Sequence, residues 1–131
     1  MTDAADHSFD VLIGLLIQLE SEGNPNAIGD NGSARGILQI RQPCLDDVNR
    51  YLGTKLTLSD VYGPGGVDTS KMVFSVYMHL YATEKRLGRP VTDFDRARIW
   101  NGGPNGYKKS STRGYLAELI ELARIENVEL V

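Results

Sequence analysis

Cysteine is nearly missing from this 131-residue chain, which has one, Cys44. No intramolecular disulfide can form, and no multi-cysteine zinc site exists. A lone thiol with no histidine beside it in sequence reads as a small buried hydrophobe before it reads as a nucleophile. Histidine is scarce as well: His7 and His79 stand far apart and make no metal-ligand pair. Neither a metal nor a cofactor is therefore expected. No P-loop, dinucleotide fingerprint or internal repeat is present. No apolar run approaches the roughly 18 to 20 residues of a membrane span. Positive charge is not in excess: the formal net charge is -3, so no nucleic-acid partner is expected. The opening residues, MTDAADHSFD, are acidic where a signal peptide is basic. The expectation is a chain that stays in the cytoplasm or leaves by another route, and its localisation stays open. Strand-forming pattern is weak throughout.

What is present is ordinary for one globular domain over residues 1–131, with 41% apolar and 24% charged residues. Phe9, Leu12, Leu16 and Leu19 recur at helical spacing, which predicts a helix over 9–22. Ser8 is its expected N-cap and Gly23 its stop. Residues 23–36 are rich in glycine and asparagine, which favours turns, with a short hairpin expected near 26–40. A second helix is expected from about Pro43 through CLDDVNRYLG, then loop over 53–68. Residues 69–88 read as the longest helix, with Met72, Val73, Val76, Tyr77 and Leu80 inward. Thr92 and Asp93 are placed to cap a helix that NGGP at 101–104 must end. The last helix is expected over 113–127, with Tyr115, Leu116, Leu119, Leu122 and Ile125 inward. The fold class expected is mainly α, with a small irregular or hairpin segment.

The segment LESEGNPNAIGDNGSARGILQI, residues 19–40, holds three carboxylates. Leu12, Leu16 and Glu20 stand four apart and share one helix face. Glu22 is rotated by about 200° from Glu20 and should face solvent. A carboxyl at the end of an apolar stripe is partly desolvated and sits at the negative end of the helix dipole. Both effects favour its neutral form, which suits a proton donor. The plainer reading makes Glu20 a surface residue at a frayed helix end. Asp30 lies in GDNG, a polar turn where it should stay ionised, and its plainer role is to stabilise that turn. One carboxyl in an apolar setting beside one in a polar loop is the arrangement that separates acid from second carboxylate in glycosidases.

These residues also carry a resemblance. Glu20-Ser21, Asn24-Pro25-Asn26-Ala27 and Gly36-Ile37-Leu38-Gln39-Ile40 resemble the pattern of soluble lytic transglycosylases. DNGS at 30–33, Tyr77-Met78 with Tyr81, and ARIWNGGPNGYKKSSTRGY resemble the invertebrate-type lysozymes, another branch of the lysozyme superfamily. The likeness runs from about residue 9 to residue 120, and the order of the motifs is more specific than any one of them. It implies an α+β lysozyme-like fold and cleavage of the β-1,4 bond between N-acetylmuramic acid and N-acetylglucosamine. It further implies Glu20 as general acid and Asp30 as second carboxylate. Ser33 and Gln39 would line the cleft, Asn101 and Gly102 its wall, with Tyr115 packing beneath. Two departures stand out. Those lysozymes are rich in disulfides, and this chain has none. They often carry histidine just before Asn-Gly-Gly-Pro, where this chain has Trp100, which makes an isopeptidase side activity unexpected. Trp100 is either a sugar-stacking surface or a core residue at a helix end.

The reaction this implies is that of a retaining muramidase, with the two carboxyls about 5 to 5.5 Å apart, or about 6.5 to 9.5 Å if it inverts. The partner expected is peptidoglycan or a related N-acetylated polysaccharide, with chitin left open and the chain a monomer. The alternatives are a lytic transglycosylase in which Glu20 works alone, and a non-catalytic glycan-binding or phage structural module. Arg96, Arg98, Lys108, Lys109 and Arg113 form either a patch for anionic cell-wall polymer or an ordinary solvated surface.

Overall fold

A computed structural model describes the backbone of residues 4–131 and the side chains from residue 9 onward; the side chain of His7 lies outside that range. The described chain is mainly helical, with one small antiparallel sheet. It divides into two compact units: Met1–Leu19 with Met78–Val131, and Glu20–Tyr77.

The first unit contains most of helix α1 (Ala4–Ser21), α4 (Glu84–Leu87), α5 (Asp93–Gly102) and α6 (Arg113–Ile125). Helix α1 begins a turn before the expected start, so Ser8 lies inside it and does not cap it. Leu12, Ile13, Leu15 and Leu16 are buried, whereas Val11, Gly14 and Gln18 are exposed. That alternation is the 3.6-residue period of a one-sided helix. Removing each such leucine from water contributes about 1.5–3 kcal/mol. The Thr92 expectation holds: Thr92 and Asp95 form a capping box at the start of α5. NGGP ends that helix through Gly103, whose φ is 89° and whose N–H donates to Ile99 O at 2.9 Å. Helix α5 packs on α6, with Ala97, Ile99, Leu119 and Ala123 buried. Ile125 is a correction: it is 62% exposed, because α6 ends there and the chain doubles back, Val128 N–H donating to Ala123 O at 2.9 Å.

The second unit starts with the last turn of α1 and holds the hairpin β1 (Ile28–Gly29) and β2 (Ala34–Arg35), α2 (Gln42–Leu52) and most of α3 (Val67–Tyr81). The hairpin lies where the glycine-rich segment predicts one. Ile28 pairs with Arg35 and Gly29 with Ala34, and a further bridge joins Arg35 to Ile40. Helix α2 has the expected limits, with Pro43 in its first turn and Gly53 left-handed at its end (φ 70°). Leu45, Val48, Val73, Phe74 and Tyr77 are buried here. The expected loop at 53–68 contains two 3-10 turns, Leu58–Val61 and Pro64–Gly66.

The helix expected over 69–88 is two helices. It is not the longest; α1, with 18 residues, is longer. Thr83 adopts an extended conformation (φ -124°, ψ 147°) and accepts a hydrogen bond from Arg86 N–H, which starts α4. The Arg86 guanidinium also donates to Tyr81 O at 2.7 Å, closing the end of α3. Met72, expected inward, is 37% exposed; it falls at the edge of the α3 stripe, beside exposed Lys71.

Candidate functional site

Four of the expected site residues, Glu20, Asp30, Ser33 and Gln39, belong to the second unit. Glu20 is half-buried in the last turn of α1, on the face it shares with Leu12 and Leu16. The helix stops one residue later, since Glu22 and Gly23 both turn left-handed (φ 53° and 80°). Glu22 is exposed, as its rotation from Glu20 requires. Ser21 Oγ donates to Ile37 O at 2.8 Å, tying the end of α1 to the Gly-x-x-Gln-Ile segment.

That segment is built around close backbone contacts. Gly36 has φ 80°, and a Cβ placed there would lie 2.0 Å from Val61 O. Only glycine suits both the angle and the space. Gln39 is left-handed too (φ 51°), and its side-chain amide donates to Ala27 O and Gly36 O at 3.2 and 3.0 Å. A Cβ on Gly29 would fall 2.2 Å from Gln39 Oε1. Gln39 therefore braces the inside of the hairpin loop with both amide hydrogens.

Asp30 stands at the hairpin tip in a 3-10 turn, Asp30–Gly32. Its carbonyl accepts from Ser33 N–H and Ser33 Oγ at 3.2 and 2.8 Å. Its carboxylate is half-exposed and ion-paired with Arg41. Sequence reasoning missed Arg41. Its only signal is its place directly after Gln39-Ile40, and the pairing depends on the hairpin bringing residues 30 and 41 together.

The other four, Trp100, Asn101, Gly102 and Tyr115, belong to the first unit. Trp100, Asn101 and Gly102 close α5; Trp100 and Gly102 are half-buried and Asn101 is exposed. Tyr115 is half-buried in the first turn of α6. The segment between these helices is pinned from several sides. Lys109 Nζ donates to Gly102 O at 2.8 Å. Arg98 Nε donates to Thr112 Oγ1 at 2.8 Å, and Arg98 Nη2 to Lys109 O at 2.8 Å. Buried Thr112 donates onward to Gly106 O at 2.7 Å. Arg86 reaches Pro104 O and Asn105 Oδ1 at 3.0 and 3.2 Å. A Cβ on Gly106 would lie 2.0 Å from Arg98 O, so this loop lies directly against the α5 backbone. Much of the basic cluster is spent inside the fold, since Arg96 also pairs with Asp93 at 2.8 Å.

Burial, helped by the charge of Asp47, pushes the Cys44 thiol up to about 12. Cys44 itself is half-buried near the start of α2, less enclosed than the buried thiol expected from the sequence. Among the described residues, no group of three or more His, Cys, Asp or Glu side chains is arranged to hold a metal ion. No described helix is long and apolar enough to cross a membrane.

No family model matches the chain, and no curated protein does. Solved structures do match. One is the crystal structure of Aeromonas hydrophila PliI in complex with Meretrix lusoria lysozyme, at 28% identity and a TM-score of 0.71, covering 90% of this chain and 93% of that one. Another is Tapes japonica lysozyme, at 28% identity and a TM-score of 0.69, with the same coverage of 90% and 93%. The similarity extends over nearly the whole chain.

Proposed function

From a lysozyme-like fold, we propose that this protein is a muramidase, a glycosidase that cleaves the β-1,4 bond between N-acetylmuramic acid and N-acetylglucosamine in peptidoglycan. The observation that carries the proposal is the place of Glu20. It is half-buried on the apolar face of α1, at the point where the helix gives way to the hairpin that presents Asp30. Glu20 protonates the glycosidic oxygen. Asp30 attacks or stabilises the oxocarbenium-like centre, and water completes the hydrolysis. Trp100, Asn101, Gly102 and Tyr115 are proposed as sugar-binding residues, with the pinned loop 103–112 holding the end of α5 in one conformation. The near-equal similarity to Tapes japonica lysozyme supports reading the PliI complex through its lysozyme and not through PliI.

A second reading, lytic transglycosylation, is supported by the Asn24-Pro25-Asn26-Ala27 spacing; the hydrogen bond from Ser21 to Ile37 O is compatible with both readings. In the second reading Glu20 acts alone. One experiment separates the two. Purified peptidoglycan is digested with the wild type and with Glu20→Gln, and the released muropeptides are weighed by mass spectrometry. Ordinary reducing ends identify a hydrolase; products lighter by one water identify a transglycosylase. Under either reading Glu20→Gln lowers release at least about a hundredfold, the weight of a general acid. Equal release by the variant would remove Glu20 from the reaction. Release by neither protein would leave a glycan-binding or structural module.

A further inference from the structure

We propose that Arg41 is a positioning residue for Asp30: its guanidinium holds the carboxylate in the direction the reaction needs. The inference rests on the glycosidase reading above. Asp30, Asn31 and Gly32 are three successive left-handed residues, with φ 49°, 57° and 95°. Aspartate and asparagine tolerate that region better than other side chains, but two together persist only where the surroundings demand it. Ser33 supplies the demand by placing both its N–H and its hydroxyl on Asp30 O. Backbone hydrogen bonds therefore fix where Asp30 stands. They do not fix where its carboxylate points.

That direction comes from Arg41. The Asp30 side chain is 52% exposed, and among the described residues its carboxylate accepts a hydrogen bond from Arg41 Nη2. Arg41 has a firm base of its own. Ile40, directly before it, exchanges two backbone hydrogen bonds with Arg35, each 3.0 Å. Arg41 O then accepts from Cys44 N–H and Leu45 N–H at 3.2 and 3.3 Å as α2 begins. A pair this exposed adds little to stability. The contact is single, Arg41 Nη2 to one carboxylate oxygen, so it aims that oxygen without the two-point grip Arg89 has on Asp95.

The test uses the full chain and initial rates over a range of peptidoglycan concentrations, for the wild type, Arg41→Ala, Arg41→Lys, Asp30→Asn and the Arg41→Ala/Asp30→Asn double variant. Arg41→Ala is expected to lower kcat roughly ten- to a hundredfold with KM in place, the cost of a misplaced reacting group. Arg41→Lys should recover part of the loss, and the double variant should fall no lower than Asp30→Asn alone. A raised KM with kcat intact would show Arg41 gripping substrate directly and overturn the proposal. So would additive losses in the double variant, or unchanged rates in Arg41→Ala. If Arg41→Ala misfolds by circular dichroism, Arg41→Lys carries the comparison: a kcat below the wild type with KM in place is expected, and a kcat at the wild-type level overturns the proposal. A wild type that releases nothing overturns the proposed function and this inference with it, whereas an active wild type indifferent to Arg41 overturns the inference alone.

Discussion

At the residue scale, the tightest constraint in the hairpin unit is Gly36. Its φ of 80° and the 2.0 Å that would separate an added methyl from Val61 O act in the same direction. Gly36→Ala is expected to cost about 2–4 kcal/mol, from a strained backbone plus overpacking, read as a lower midpoint in urea unfolding. A midpoint within error of the wild type would mean that the 58–61 turn moves aside at little cost. The sequence shows that Gly36 belongs to a motif. It does not show why, because Val61 is far along the chain and nothing in the local pattern points to it. Arg41 was illegible for the same reason. Cys44, read from the sequence as a buried thiol, is half-buried, with desolvation and the charge of Asp47 pushing it up to about 12.

At the element scale, caps and stops were the most legible features. Pro43 and Gly53 delimit α2, Thr92 starts α5 and NGGP ends it, each by a local rule about hydrogen bonds or backbone angle. The break between α3 and α4 was not legible, because the apolar spacing runs through it. It lies at Thr83, an extended N-cap that accepts from Arg86 N–H, a local signal that the continuous apolar spacing masks. The capping box of α5 yields a pH prediction. Burial pushes the Asp95 carboxyl up, but the Arg89 guanidinium, with both contacts at 2.7 Å, and the Thr92 donors outweigh it and hold it below the ordinary carboxylate range. A depressed folded-state value means stability that is fully present above the ordinary range, about pH 4, and lost as pH falls below it. Asp95→Asn should cost about 1–3 kcal/mol at pH 7. Its melting temperature should also fall less than the wild type's between pH 5 and pH 3. Parallel curves for the two proteins would show that Asp95 has no part in the acid transition.

At the scale of the whole molecule, stability rests on packed helices and hydrogen-bonded loops, with no intramolecular disulfide available to a chain holding one cysteine. The melting temperature should therefore be the same with and without a thiol reductant; a reductant-sensitive melt would point to disulfide-linked dimers through Cys44. The order of the elements, the one-sided face of α1, the glycine-rich hairpin and the turn at NGGP were determined by the sequence alone. Each follows from interactions within about four residues, which periodicity, capping and turn chemistry record directly. Tertiary structure alone decided that Gly36 lies on Val61 and that Arg41 pairs with Asp30. Those outcomes depend on which distant backbone comes near, and a linear pattern carries no distance between residues far apart in the chain.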